Sequence, residues 1–209
     1  MKRFLIATSI TAFCLITTSA IAGTITGTSH DFSGETWTTE ICQACHAPHN
    51  NKDTSGLNDL LWNHEITAAS YTLYTGLDLQ GTIGQPDGIS KLCLSCHDGT
   101  VAVDSFGTHT ATAGAITGAA NFGTDLSNDH PISITYDTAD LELNPTTTTV
   151  DYAESTATNE TIAEILEGGA TGTVECSSCH DVHNSKSDGN NLLLVTNTNS
   201  ALCLTCHAK

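Results

Sequence analysis

The chain has 209 residues, a formal charge of −17 and only 5% aromatic side chains. A surface this acidic repels phosphate backbones, which excludes sequence-independent binding of nucleic acid. The length allows one domain or two small ones, and so few aromatic side chains suggest that something other than side chains fills the interior.

Residues 1–22 are predicted to be a secretory signal peptide. Lys2 and Arg3 form a basic start, an apolar stretch follows over residues 4–16, and Ala20-Ile21-Ala22 has the small residues of a cleavage site. Hydroxyl side chains interrupt the apolar stretch, which is too short to cross a membrane. The sequence therefore predicts an exported protein at the cell surface or beyond it, with the periplasm as the alternative and no membrane span.

Eight of the nine cysteines form four C-x-x-C-H motifs, and the ninth, Cys14, lies in the leader. The motifs comprise Cys42, Cys45 and His46; Cys93, Cys96 and His97; Cys176, Cys179 and His180; and Cys203, Cys206 and His207. This is the attachment motif of c-type haem, in which both thiols form thioethers and the His binds iron. Zinc sites, disulfides and redox motifs also use paired cysteines, but they do not require a His after every second Cys. Four covalent haem c groups are predicted.

The predicted fold is a multihaem cytochrome with little regular secondary structure. Short helices carrying the motifs and long loops would surround a haem core. A further helix is predicted over residues 159–168, with Asn159 as its N-cap and Gly168 at its end. Residues 104–121 and the run Thr146–Thr149 are predicted to be surface loops or edge strands.

The motifs alternate between two types. The first and third share C-x-x-C-H-x-x-H-N over residues 42–50 and 176–184, and the second and fourth share S-x-L-C-L-x-C-H over residues 90–97 and 200–207. This internal repeat predicts two dihaem halves, residues 23–110 and 111–209, within a single tetrahaem domain.

The second axial ligand of each iron must be a His, because the only methionine is Met1 of the leader. His49 and His183 occupy matching positions three residues after a motif His, from which each could reach a neighbouring haem. The candidate distal ligands are His30, His49, His64, His130 and His183. His109, in a loop of small residues, is predicted to be solvated. Asp98 and Asp181, which directly follow motif histidines, are also predicted to be solvated, with tuning of the adjacent haems as the alternative. Five candidates compete for four sites, and a surface position or binding to a haem propionate is the alternative for each.

Several stretches beyond the motifs carry a resemblance to a known family. They lie at residues 30–33, 45–49, 61–64, 90–104, 126–133 and 201–207. Together they resemble the OmcE-type tetrahaem cytochromes of the doubled CxxCH multihaem family, which polymerise into extracellular nanowires. The resemblance implies bis-His haems stacked along a head-to-tail homopolymer. It also implies that an axial His can be donated to the next subunit's haem, with His30 as the candidate donor.

The favoured function is electron transfer without catalysis, through a filament that serves extracellular electron transfer. The partners would be redox proteins or extracellular electron acceptors. A monomeric periplasmic or surface shuttle with the same haems is the main alternative. A multihaem reductase is less favoured, because it needs an iron without a distal ligand and the sequence offers a surplus of histidines.

Overall fold

The computed structural model describes residues 25–49, 60–76, 79–154, 156–187 and 191–208. The predicted signal peptide, residues 1–22, lies outside them. The described chain contains three short α-helices and one two-stranded sheet. These are α1 (Gly88–His97), β1 (Ile134–Thr135), α2 (Ile162–Ile165), β2 (Thr173–Val174) and α3 (Ala201–Cys206). Single 3₁₀ turns lie at Phe32–Gly34, Gly118–Ala120, Gly169–Thr171, Cys176–Ser178 and Thr198–Ser200. The prediction of short helices and little regular structure is confirmed for this part of the chain.

Helix α1 buries an apolar face, and its N-terminus contacts Glu167, which is distant in sequence. Leu92 and Leu94 are each 2% exposed, and the backbone N–H of Ile89 donates to the Glu167 carboxylate at 3.1 Å. This acidic side chain satisfies one of the unpaired donors at the helix N-terminus. Gly88 has a φ of +47°, and a Cβ there would collide with the same carboxylate, so the helix start requires glycine.

The helix predicted over residues 159–168 is present, but its predicted bounds and cap are wrong. Helix α2 covers only Ile162–Ile165, and its N-cap is Thr161 rather than Asn159. Both the N–H and the hydroxyl of Thr161 donate to the Glu164 carboxylate, at 2.7 and 2.8 Å. The preceding residues cannot be helical, because the Glu160 carbonyl accepts from Val150 N at 2.7 Å in a short antiparallel pairing.

Two apolar clusters form the described core. The larger gathers residues around α2 and the segments that pack on it: Tyr136, Val150, Tyr152, Ile162, Leu166, Leu194 and Val195. The smaller contains Tyr71, Leu94 and Leu126. Residues 107–114 are exposed, as predicted for most of the loop over residues 104–121, whereas Asp104 at its start is fully buried.

The two predicted halves of the chain contact each other through hydrogen bonds. Strand β1 pairs antiparallel with β2, with Ile134 opposite Val174, and its other edge contacts the first half through Thr135 N and the Thr82 carbonyl at 2.9 Å. Cys176 N also donates to the Ser90 hydroxyl of α1 at 3.0 Å. The division at residue 110 stays a prediction, and these contacts tie its two sides together. No helix in the described part of the chain is long and apolar enough to cross a membrane.

Candidate haem attachment sites

Each C-x-x-C-H motif forms a single tight turn that brings its His back beside its cysteines. In the first, third and fourth motifs the His N–H donates to the carbonyl of the first Cys at 2.8, 3.0 and 2.9 Å. The second motif forms the last turn of α1. The turn therefore brings the backbone of each His close to that of the first Cys, as attachment of both cysteines and the His to a single haem requires.

The two motif types differ in the surrounding backbone. The second and fourth lie on α1 and α3, where leucines flank the first Cys and favour a helix. The third lies on the 3₁₀ turn Cys176–Ser178, and the first on non-helical turns. The expectation that short helices carry the motifs is therefore confirmed for the second and fourth motifs and wrong for the first and third.

The internal repeat is visible in the backbone that follows the first and third motifs. After each, the chain returns and pairs with the motif, which gives the bridges His46 with Trp62 and His180 with Leu193. Asn63 N donates to the Cys45 carbonyl and Leu194 N to the Cys179 carbonyl, both at 2.8 Å. The predicted repeat is thus a structural repeat, at least around these two motifs.

Three of the four motif histidines are held through Nδ1, as metal-bound histidines usually are. In three of them Nδ1 lies against a backbone carbonyl oxygen: 2.5 Å for His46 and Leu60, 2.8 Å for His97 and Ala120, and 2.9 Å for His180 and Asn191. A carbonyl oxygen only accepts, so Nδ1 carries the proton and Nε2 presents its lone pair. This is the usual arrangement of a metal-bound His, whose other nitrogen is held by a second partner.

Three motif histidines each lie beside a candidate distal His. The ring centroids are 6.0 Å apart for His97 and His30, 6.1 Å for His46 and His183, and 6.4 Å for His207 and His130. Two imidazoles on opposite sides of one metal ion have centroids about 6 Å apart, since each nitrogen lies about 2 Å from the metal. The three pairs have this centroid spacing, and their ring planes differ by 52°, 18° and 71° respectively.

His30 is half-buried in the region of three other histidines. Burial, followed by the charges of His97, His180 and His183, lowers its pKa to about 4. Its ring is therefore neutral at physiological pH, as binding to a metal demands. Its buried Nδ1 has no hydrogen-bond partner in the protein.

The other histidines outside the motifs lie in different surroundings. His64 is 1% exposed, with Nδ1 2.8 Å from the Glu65 carbonyl and Nε2 3.0 Å from the Ala102 carbonyl, so this arrangement engages both ring nitrogens. His49 and His109 are exposed and line one surface cavity of about 500 Å³. His109 stacks on Phe106 with ring centroids 5.4 Å apart.

The cysteines of consecutive motifs lie close together. The Cys93 thiol donates to Cys176 Sγ, which raises the pKa of Cys93 and lowers that of Cys176. Burial raises the pKa of Cys45 to about 11 and that of Cys96 to about 12, and the charge of Cys45 adds to the latter. The eight motif cysteines form no disulfide, and no three metal-binding side chains converge among the described residues.

The prediction that Asp98 is solvated is wrong. Asp98 is 3% exposed and accepts hydrogen bonds from the hydroxyls of Thr67 and Tyr71 at 2.6 and 2.7 Å. Asp181 is half-buried and orders the loop after the third motif by accepting from Ser185 N at 2.6 Å and Lys186 N at 2.7 Å. Sequence reasoning missed both roles because burial depends on distant segments.

The comparisons with known proteins agree with this geometry at the C-terminal end. The family described as the doubled CXXCH motif matches residues 169–209, which hold the third and fourth motifs. This part of the chain is similar to the doubled CXXCH motif. That motif belongs to multihaem c-type cytochromes and implies covalently bound haem c and electron transfer. No curated protein matches the chain.

Proposed function

We propose that this protein is an exported tetrahaem electron carrier whose irons are held between pairs of histidines, and that it assembles into an extracellular filament. Haem c supplies an iron that accepts and releases one electron without exchanging its axial ligands. The observation that carries the proposal is the set of three His pairs with ring centroids 6.0, 6.1 and 6.4 Å apart.

Each pair joins a motif His to a candidate distal ligand. His97 and His30 would hold the second haem, His46 and His183 the first, and His207 and His130 the fourth. The pairing of His30 with His97 in the same chain favours ligation within one subunit over the donation of His30 to a neighbour. Two imidazole ligands to each iron leave no open position for substrate, which argues against a reductase.

The internal repeat makes His49 the candidate distal ligand of the third haem. His183 of the third motif faces His46 of the first, so the equivalent His49 of the first motif would face His180 of the third. The two motifs would then exchange distal ligands. His64, held by carbonyls on both nitrogens, is better suited to a structural role beside Cys96, whose Sγ lies 3.4 Å from its Nε2.

The proximity of the motif cysteines supports electron transfer between haems. Cys45 lies near Cys96, and Cys93 contacts Cys176. Cys179 in turn lies near Cys206, whose charge adds to the burial that raises the pKa of Cys179 to about 11. Successive attachment points are thus neighbours along the whole series, from the first motif to the fourth.

The filament rests on the resemblance to the OmcE-type cytochromes and on exposed apolar side chains. Leu141 is 94% exposed and Phe122 is 51% exposed, and contacts between copies would bury such surface. A chain of charge −17 repels its own copies at low salt, so apolar contact must overcome this repulsion. A head-to-tail interface that does not close produces a filament.

The haem proposal is tested by the mass of the exported protein. Four covalent haems are expected, and the double substitution Cys42→Ser and Cys45→Ser should remove one of them. An optical spectrum that is low-spin throughout is expected for bis-His ligation. A count of two haems, confined to the matched residues 169–209, would contradict the tetrahaem proposal.

The filament proposal is tested separately by cryo-electron microscopy of material shed from cells. Fibres with this chain as their repeating unit are expected. Exclusively monomeric protein with a complete low-spin spectrum would instead establish the alternative, a monomeric periplasmic or surface electron shuttle. Binding of cyanide or nitrite at neutral pH would point to an open iron and a reductase.

A further inference from the structure

Glu175 is a buried acid with no role in haem attachment itself. It directly precedes Cys176, the first cysteine of the third motif, and its side chain is 1% exposed. Ionised carboxylates are rarely buried without a basic partner, because burial disfavours charge. Burial of the Glu175 carboxyl group therefore costs free energy, and a functional role would explain its position.

The side-chain donors around Glu175 are neutral hydroxyls. One carboxyl oxygen, Oε2, accepts from the Ser133 hydroxyl at 2.9 Å. The other, Oε1, is buried without a hydrogen-bond partner in the protein. Neutral hydroxyls thus surround a carboxyl group that is only partly satisfied as an anion and could hold a proton on Oε1.

The groups that face Glu175 come from several elements. Burial raises its pKa, the hydroxyls of Ser90, Thr173 and Ser133 act in the opposite direction, and the charge of Glu167 raises it further. Lys91 follows Ser90 on α1 but does not share its face, since adjacent helical residues point in different directions. The sum raises the pKa of Glu175 above its ordinary value of 4.5.

Glu175 also lies between two haem attachment points. The backbone N–H of Cys176 donates to the Ser90 hydroxyl at 3.0 Å. Ser90 lies three residues before Cys93 on α1, and thus on the same helix face, and Cys93 contacts Cys176. The carboxyl group is therefore adjacent to the thioether positions of both the second and the third motif.

We propose that Glu175 is a redox-linked proton acceptor, which binds a proton when the haem attached beside it is reduced. This inference rests on the proposed haem function and adds proton coupling to it. One electron arrives from a redox-partner protein, one proton arrives from solvent, and the carboxylate becomes a carboxylic acid. The oxidised state carries one more positive charge near the carboxylate and favours its ionised form, so reduction favours protonation.

The pH dependence follows from this balance. Between the pKa values of Glu175 in the reduced and oxidised states, each pH unit changes the redox equilibrium tenfold, which is about 59 mV for one electron. Below both pKa values the acid is protonated in either state, and above both it is ionised in either state. The potential is then independent of pH on both sides of the window.

The test is a potentiometric titration of the holoprotein over a range of pH, for the native chain and for Glu175→Gln. Haem propionates also titrate, so the expected result is that one pH-dependent component disappears in the variant while the remainder persists. Reduced-minus-oxidised infrared spectra should show a protonated carboxyl band that is absent from Glu175→Gln. The matched control is Glu40→Gln, an exposed acid just before the first motif, which should leave both measurements unchanged.

Two further variants keep Glu175 but should shift the pH range over which the haem potential depends on pH, which is called the window here. Ser133→Ala removes a donor to the carboxylate and should shift the window to higher pH. Glu167→Gln removes a like charge and should shift it to lower pH. Identical titrations for native protein, Glu175→Gln and Ser133→Ala would overturn proton coupling, and a native haem count in those samples would leave the electron-transfer proposal intact.

Discussion

Replacement of His30 by Ala distinguishes ligation within one chain from donation between chains. The His30 ring lies 6.0 Å from that of His97, and burial, together with three neighbouring histidines, lowers its pKa to about 4. A neutral imidazole at this distance is available to the same iron as His97. Its loss should leave that iron with one axial ligand.

The expected fraction of high-spin iron follows from the number of haems in each chain. If each chain holds four haems and one loses its distal ligand, about a quarter of the iron should become high-spin and able to bind cyanide. Electron paramagnetic resonance and optical spectra measure this fraction. Mass spectrometry of the same sample must show that all four haems remain attached.

The matched control is His109→Ala. His109 stacks on Phe106 and donates to the Asp104 carbonyl at 3.0 Å, so its loss should leave the spectrum low-spin. A full low-spin spectrum for His30→Ala would refute the pairing with His97. If native protein instead gains a high-spin quarter only on dissociation into monomers, a neighbouring chain supplies the ligand.

Three stability predictions follow from the described contacts. Ile162→Ala, at a residue with 0% exposure, should lower the free energy of unfolding by about 2–5 kcal/mol, measured by chemical denaturation; a cost below about 1 kcal/mol would contradict this packing. Asp104 is buried, which alone raises its pKa, but hydrogen bonds from Thr112 and Ala113 outweigh burial and lower the pKa below 3.8. The stability from that charge is therefore complete above pH 3.8 and lost as pH falls through the lower folded value, so the deficit of Asp104→Asn in thermal unfolding should shrink in acid; a deficit independent of pH would contradict it. Lys186→Met removes a 2.7 Å ion pair with Glu160 and should cost less than about 1 kcal/mol, with a cost that falls as salt is added; a cost insensitive to salt would point to packing instead.

The chemistry of attachment could be predicted from sequence because it is local. A thioether pair and its proximal His need five consecutive residues, so the motifs at His46, His97, His180 and His207 are complete in the sequence. The repeat of the first and third motifs was equally visible, and the structure shows its consequence in the backbone that returns to pair with each motif. The scarcity of regular structure also followed from the motif density and the thin aromatic content.

Tertiary structure decided the properties that depend on distant segments. The pairs His30 with His97 and His46 with His183 join parts of the chain that no spacing rule connects, and five candidates stayed open in the sequence for that reason. The start of α2 at Ile162 was set by pairing of the preceding residues with Val150, which overrode the capping tendency of Asn159. Burial converted Asp98 and Glu175 from ordinary acids into internal ones, since exposure is a property of the packed chain and not of any single residue.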